Sequence, residues 1–263
     1  MHERVVTPIS VRGVEMAANG CVSISHIARY CEHARWEAFK DPDFVLVGRI
    51  AGGVVRAARY EYLEPARYPE ALRVQTWLSR VGRTSFGHGH LVEREDGTVI
   101  ARADIAIVNL DGGRPAPLDP ALRDFVEPSP AGPAPALASR AGEPFVRRFV
   151  VRPSDLDLFR HVNQARYLDF ADDTLQLAAA AGHAAGSDRP IGALSLEYQA
   201  EARGGQVLQM QMWRGGDDEG DVRELELTRV EDGAVIHRAA LRIGAQVVGE
   251  PVPYGTPPDN LRR

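Results

Sequence analysis

The sequence predicts an α+β protein made of two similar units, each with one long helix packed against an antiparallel sheet. Three observations lead to this expectation. Two long, mostly apolar helices are predicted, several β-strands are predicted after each of them, and three stretches of sequence recur in the same order in both halves. A helix followed by a run of strands, occurring twice, indicates an internally duplicated fold.

The duplication is visible at two offsets along the chain. V-R-G-V-E-M-A-A-N-G-C-V-S-I-S-H-I-A-R-Y begins at residue 11 and lies over the stretch beginning V-R-P-S-D-L-D-L-F-R-H-V-N-Q-A-R-Y at residue 151, an offset of 140 (151 less 11). After the helices the offset is 136, which four fewer intervening residues explain. Two further matches have this offset: 61–77 over 197–213, and E-D-G-T-V-I-A-R-A at 95–103 over E-D-G-A-V-I-H-R-A at 231–239.

Apolar periodicity and turn residues predict the elements of each unit. Asn163 is expected as the N-cap of the second helix and Gly182 as its C′ residue. Glu-Asp-Gly at 95–97 and 231–233 is expected to form hairpin turns. The predicted helices span 23–39 and 163–181, and the predicted strands lie near 45–63, 71–81, 84–94 and 98–109, then near 193–201, 206–214, 222–230 and 234–247.

These elements divide the chain into four segments. Residues 1–110 form the first unit, 111–144 a linker, 145–249 the second unit and 250–263 a tail. Residues 111–144 hold eight of the eighteen prolines, so the linker is expected to be extended in part, with a short helix at 120–125.

Composition excludes several classes of protein. A formal net charge of −5 argues against a general nucleic-acid binder. Two cysteines do not make a disulfide framework and favour a reducing compartment. No signal-peptide core or apolar run long enough to insert into a membrane is present, so a cytoplasmic location is expected.

The two copies differ most in their polar residues. The second copy has Asp157 where the first has Ala17, His161 where it has Cys21, Asn163 where it has Ser23, and Glu201 where it has Pro65. Packing residues such as Trp77 and Trp213 agree between the copies. This asymmetry predicts a single active site, carried by the second unit. His88 and His90 share a strand face without a third ligand at metal spacing and are expected at the surface or an interface.

The second half also carries S-D-L-D followed by H-V-N-Q-A-R-Y-L, and L-E-Y-Q-A-E-A at 196–202. With V-R-G-V-E-M-A-A-N-G at 11–20 and T-W-L-S-R-V-G-R-T-S at 76–85, these motifs make the chain resemble a tandem hotdog-fold thioesterase, most closely the acyl-acyl-carrier-protein (acyl-ACP) thioesterases. The resemblance covers roughly residues 5–248. It implies a double hotdog: two antiparallel sheets, each wrapping a long helix, joined as a pseudo-dimer in one chain.

The resemblance implies that Asp157 and His161 are catalytic and that Glu201 is the acid on the facing strand. Two residues after Asp157 this chain has Phe159, where the carrier-protein enzymes usually have a catalytic Asn, and Ala202 stands where plant members have a Cys. Asp157 is expected either to activate water or to attack the thioester carbonyl directly, and His161 to hold the water or share its proton. Helix-terminal N–H groups near Val162 and Asn163 are expected to bind the carbonyl oxygen.

The expected substrate is a fatty acyl thioester of acyl-carrier protein or CoA, hydrolysed without a metal or organic cofactor. Arg35, Trp36 and Phe39 of the first helix are expected to limit the acyl chain length, and the double-hotdog chain is expected to form a homodimer. Two alternatives stay open. The first is a hotdog hydratase or dehydratase, which would use a differently spaced acid and His. The second is an acyl-thioester binding protein without turnover, which Phe159 in place of the Asn favours.

Overall fold

The structure is a computed structural model that describes residues 4–50, 52–129, 131–132, 135, 140–215 and 221–245. The predicted tail 250–263 lies outside the described residues. Within them, ten strands form one continuous antiparallel path, and an eleventh, two-residue strand pairs beside it. Two long helices pack against this sheet.

The first unit holds one helix and five strands of the main path. The elements are β1 (Val5–Ser10), α1 (Ile24–Ala38), β2 (Gly53–Tyr62), β3 (Ala71–Val81), β4 (Ser85–Arg94) and β5 (Val99–Asp111). The strand order in the sheet is β1-β3-β4-β5-β2, so the chain enters at one edge and β2 lies at the centre of the whole sheet.

The connection to the second unit is partly structured. A two-residue strand, β6 (Arg114–Pro115), pairs with β5, and a 3₁₀ helix spans Pro120–Phe125 where a short helix is expected. Asp119 begins that helix, because its side chain accepts a hydrogen bond from the Ala121 N–H at 2.9 Å.

The second unit repeats the first. The elements are β7 (Arg140–Val150), α2 (Arg166–Ala180), β8 (Ile191–Tyr198), β9 (Val207–Gly215), β10 (Val222–Arg229) and β11 (Val235–Ile243). The strand order is β8-β11-β10-β9-β7, so each strand occupies the place of its counterpart in the first unit.

The two units join through β2 and β8, which pair antiparallel from Ala57 opposite Glu197 to Glu61 opposite Ala193. Equivalent strands therefore meet side by side, as in a symmetric dimer. The expectation of two sheets joined as a pseudo-dimer agrees with this topology.

Most predicted elements are present, with three differences. Residues 45–50 are not a strand: their N–H groups bond three residues back, Val47 to Phe44 at 2.9 Å and Arg49 to Leu46 at 3.1 Å, so this apolar run forms turns. β7 begins at Arg140, inside the predicted linker. His88 and His90 are fully buried in the first unit, where His88 stacks on Phe44, so the expectation that they lie at a surface or interface is wrong.

The second helix begins later than predicted and ends as predicted. Ala165 is its N-cap, so the expectation of Asn163 at that position is wrong by two residues. At the other end Gly182 has φ of +69°, which glycine adopts at little cost, and its N–H bonds to Ala179 O. His183 N–H bonds to Ala178 O, which completes the C-terminal hydrogen-bond pair typical of such caps.

Candidate active site

The turn before α2 is held by backbone hydrogen bonds at both its ends. Asp157 N–H donates to His161 O at 2.9 Å, and Arg160 N–H donates to Asp157 O at 3.0 Å. Leu156 and Val162 form a β-bridge outside this turn. The tight loop brings the side chains of residues 157 and 161 together, as expected for two residues that the resemblance assigns to one site.

Asp157 and His161 form a contact pair. Asp157 Oδ2 lies 3.2 Å from His161 Nδ1, and Asp157 Oδ1 accepts a hydrogen bond from the Phe159 N–H at 2.9 Å. The Phe159 ring stacks on the His161 imidazole, with 5.8 Å between ring centroids and 18° between planes. Phe159 therefore fixes both partners: its N–H orients the carboxylate and its ring orients the imidazole.

The pair opens into a cavity of about 580 Å³ that both units line. This volume is in the range of small-molecule binding sites. The walls near the pair come from the second unit, while α1, the segment after it and three strands of the first unit (β2, β4 and β5) form the rest. The first-unit lining residues are Glu32, Arg35, Trp36, Phe39, Ile50, Gly52, Gly53, Val54, Val55, Arg56, Phe86 and Ile107.

Tyr167 of α2 and Tyr198 of β8 line the same cavity. Burial raises the pKa of Tyr167, and the nearby charges of Glu201 and Asp157 raise it further. The Tyr198 hydroxyl donates to Gln164 O at 3.3 Å, which ties the end of β8 to the turn before α2. Burial also raises the pKa of Tyr198, so both phenols stay protonated at neutral pH.

Glu201 lines the mouth of the cavity but does not lie on a strand. β8 ends at Tyr198, because Gln199 and Ala200 both donate to Ile236 O and the chain then leaves the sheet. The Glu201 side chain is 53% exposed and lies 3.6 Å from Arg203. Within the described chain it makes no hydrogen bond to Asp157 or His161, so the expectation of an acid on the facing strand is corrected to an acid at the mouth.

The N–H groups expected to bind the carbonyl oxygen are occupied. Val162 N–H donates to Ala202 O at 2.8 Å, and Asn163 N–H donates to Asp155 O at 3.0 Å. The Asn163 side chain accepts from Ala165 N–H and donates to Glu32 of α1, 2.9 Å in both cases. Asn163 thus links the two units, and neither backbone N–H is free for a carbonyl, which corrects the expectation for Val162 and Asn163.

Gln164, the next residue, is a polar residue of this site that sequence reasoning missed. It lines the cavity, and in the described part of the chain its backbone N–H has no hydrogen-bond acceptor. Its side-chain amide atoms Nε2 and Oε1 are buried and likewise have no described partner. The alignment of the copies contains a signal, because Gln164 lies over Ile24 and so extends the polar asymmetry.

Asp155 serves the turn and not the site. It is 1% exposed, and its carboxylate accepts from Arg152 N–H at 2.8 Å and from the Arg152 guanidinium at 2.9 Å. Burial alone would raise the pKa of Asp155, but the Arg152 hydrogen bonds outweigh it and the pKa is lowered. Glu15 makes the same contacts with Arg12 in the first unit.

Family models match both units of the chain. Residues 11–126 match the family model of the thioesterase-like superfamily, and residues 138–242 match that of the acyl-ACP thioesterase C-terminal domain. No curated protein sequence matches the chain.

Two solved structures share the fold over nearly the whole chain. An acyl-ACP thioesterase from Bacteroides thetaiotaomicron is 19% identical with a TM-score of 0.73, covering 91% of this chain and 97% of that one. A 12:0-ACP thioesterase from Umbellularia californica is 18% identical with a TM-score of 0.71, covering 91% and 93%. These likenesses confirm the double hotdog fold.

The chain is therefore a tandem hotdog thioesterase, a hydrolase of fatty acyl thioesters. Within that class it is similar to the acyl-ACP thioesterase family, whose C-terminal domain model covers the unit that holds Asp157 and His161. In the described residues no helix is both long and apolar enough to cross a membrane.

Proposed function

We propose that this thioesterase releases fatty acids from acyl-carrier protein, with Asp157 and His161 as its catalytic pair. The observation that carries the proposal is the 3.2 Å contact between Asp157 Oδ2 and His161 Nδ1 at the wall of a largely apolar cavity. The cavity accommodates the acyl chain, and the pair meets the thioester where the chain begins.

In the proposed reaction Asp157 accepts a proton from a water molecule while His161 holds the carboxylate in position. The water oxygen bonds to the thioester carbon, and the carbonyl becomes an oxyanion. The Gln164 N–H, at the entrance to α2, binds that oxygen, assisted by the positive end of the helix. The C–S bond then breaks, and the proton held by the pair passes to the departing thiolate.

Direct attack by Asp157 would give a different isotope distribution. In a single turnover in ¹⁸O-labelled water, the water route places one labelled oxygen in the released acid. Attack by the carboxylate would instead expel the thiolate and form an anhydride between Asp157 and the acyl group. Water that opens this anhydride at the Asp157 carbonyl leaves the label in the protein and an unlabelled oxygen from Asp157 in the acid. Mass spectrometry of the acid and of the peptide containing Asp157 distinguishes the two routes.

We propose an acyl-carrier protein rather than CoA as the carrier, because exposed arginines surround the mouth. Arg56 lines the cavity and is exposed, Arg160 is the exposed tip of the catalytic turn, and Arg203 is 72% exposed beside Glu201. Carrier proteins are acidic, so such a surface favours their docking. Arg56→Glu should raise KM for acyl-ACP several-fold more than for a small acyl thioester. Arg148→Glu, an exposed arginine that does not line the cavity, is the matched control.

The direct test is the release of free thiol from acyl-ACP and acyl-CoA panels by wild type and Asp157→Asn. We expect turnover by the wild type and a loss of about 100-fold or more in the variant, the contribution of a general base. An inactive wild type that still binds acyl thioesters would contradict the proposal. Unchanged turnover by the variant would contradict the role of Asp157.

Two further expectations belong to this proposal. A cytoplasmic location is supported by two free, buried cysteines, Cys21 and Cys31. A homodimer of the double-hotdog chain stays a prediction, which light scattering of the purified enzyme tests.

A further inference from the structure

Arg35 is an unpaired charge in the interior of the protein. Only 8% of its surface is exposed, and its side chain forms no ion pair with any residue of the described chain. Its Nη1 is buried without an acceptor. A buried cation is costly unless acceptors surround it, so a guanidinium in this position needs a partner from outside the chain.

The surroundings of Arg35 contain no carboxylate at ion-pairing distance among the described residues. Glu32, one turn earlier on α1, accepts hydrogen bonds from Asn163 instead. The neighbouring Tyr60 is 1% exposed, and its hydroxyl contacts the Arg35 side chain but carries no charge to balance the guanidinium. Arg35 Nη1 is left without an acceptor among the described residues.

Arg35 borders the cavity at a defined place along it. Glu32 and Arg35 lie on one face of α1, Phe39 is the residue that caps its C-terminal end, and all three line the cavity. Glu32 reaches the turn that carries Gln164 through Asn163, so it marks the end near the thioester. Arg35 follows about 5 Å further along the helix axis. Beyond it the wall becomes aromatic, because Phe39 packs edge-on against Phe44 and His88.

We propose that Arg35 binds an oxygen on the acyl chain, so that the preferred substrates are acyl thioesters with a hydroxyl or oxo group within the first few carbons after the carbonyl. Such an oxygen supplies the acceptor that the chain lacks. An oxygen at the far end of the chain would instead face the aromatic wall of Phe39 and Phe86. This inference rests on the proposed thioesterase function and specifies its substrate.

The test compares acyl thioesters of one length and one carrier: unsubstituted, hydroxy or oxo near the thioester, and carboxy at the far end. The quantity measured is the ratio of kcat/KM for each oxygenated substrate to that for the unsubstituted one. We expect the wild type to prefer the proximal hydroxy or oxo chain. In Arg35→Met that ratio should fall about 10- to 100-fold, the value of a hydrogen bond to a charged group.

Arg29→Met is the matched control, because Arg29 lies on the same helix but pairs with Asp169. It should lower the unfolding midpoint and leave the substrate ratio unchanged. Arg35→Met should keep or raise the midpoint of the free enzyme, since it removes an unpaired buried charge. If Arg35→Met lowered the unfolding midpoint as much as Arg29→Met does, the premise that Arg35 has no ion-pair partner would be overturned.

The outcomes separate this inference from the proposed function. No hydrolysis of any thioester would contradict the proposed function itself. Hydrolysis without preference for the proximal oxygen, a preference for the terminal carboxylate, or an equal loss on all substrates in Arg35→Met would overturn the inference and leave the thioesterase standing.

Discussion

The turns before the two helices have the same backbone and different chemistry. In each, the first residue donates to the fifth and the fourth donates back to the first: Ala17 to Cys21 at 2.8 Å and Gly20 to Ala17 at 2.9 Å, then Asp157 to His161 at 2.9 Å and Arg160 to Asp157 at 3.0 Å. Each is also flanked by a β-bridge, Met16 with Val22 and Leu156 with Val162.

The next backbone contact is shared as well. Val22 N–H donates to Ala66 O, and Val162 N–H donates to Ala202 O, both at 2.8 Å. A hydrogen bond present in both copies belongs to the fold, which explains why Val162 is not available to a carbonyl. What the second copy adds is side chains: a carboxylate, an imidazole and a glutamine on a cavity wall that the first unit helps to form.

The largest expected effect comes from making the second turn like the first. Asp157→Ala combined with His161→Cys should lower kcat by about 100-fold or more, because the general base is lost while the backbone turn is kept. Thiol release measures the loss, and an unchanged unfolding midpoint shows that the fold is intact.

The reverse exchange tests whether the first turn can support turnover once it carries the same two side chains. Ala17→Asp with Cys21→His, added to the inactive variant, should not restore turnover, because none of residues 17–21 lines the cavity. Restored activity would mean that the first copy has its own substrate site, and the assignment of a single site to the second unit would be wrong.

The next effect concerns the N–H that the second copy leaves free. Arg166 N–H donates to Asn163 O at 2.9 Å, so Gln164 is the second residue of a four-residue turn, a position that favours proline. Gln164→Pro deletes the N–H and should lower kcat about 10²–10³-fold with a small change in KM. Gln164→Ala keeps the N–H, so its kcat should fall much less. Equal losses in the two variants would assign the effect to the side chain.

The fold was predictable because duplication and periodicity are properties of the sequence. The contact between Asp157 and His161 was predictable, since a tight turn brings residues 157 and 161 together. The sequence could not show that the N–H groups of Val162 and Asn163 are already hydrogen-bonded. Their acceptors are the carbonyl of Ala202, forty residues away, and that of Asp155 across the turn. Nor does sequence spacing show that Glu201 leaves the strand, or that Arg35 of the first unit lines the same cavity as Asp157 and His161.

The copies also differ in the positions of their buried histidines. These histidines predict that the protein becomes less stable in acid. His88 and His90 of the first unit and His237 of the second are fully buried. Burial lowers the pKa of His88 and of His237 to about 3, and that of His90 well below its usual value. In the unfolded chain these imidazoles take up a proton near pH 6.5, and in the folded chain they do not. Their contribution to the free energy of unfolding is therefore fully present above that pH and is lost as the pH falls towards 3.

Each histidine should contribute about 1 kcal/mol per pH unit between pH 6 and 4.5. Urea unfolding across this range measures the slope. His237→Phe and His88→Phe should each reduce the slope by roughly a third, as expected if the three histidines contribute equally. A slope that neither substitution changes would show that carboxylates, not these imidazoles, control the pH dependence.

The smallest expected effect tests the backbone of the two turns. Their fourth residues are both left-handed, Gly20 with φ of +75° and Arg160 with φ of +65°. A side chain at such a position costs about 1 kcal/mol relative to glycine, and a Cβ at Gly20 would meet no atom within 4 Å, so only backbone strain is measured there. Gly20→Ala should lower the free energy of unfolding by about that amount, and Arg160→Gly should raise it equally.

Arg160→Gly also separates strain from function. If Arg160 is kept because its charge docks the carrier protein, the variant should be more stable, with a higher KM for acyl-ACP and an unchanged KM for a small acyl thioester. Urea unfolding and thiol release on the two substrates give both quantities for one protein. A variant that is no more stable would mean that Arg160 makes a compensating contact in the folded state. A variant that is more stable with unchanged KM for acyl-ACP would remove Arg160 from the docking surface, and the strained turn would then be a difference between the copies without a functional cause.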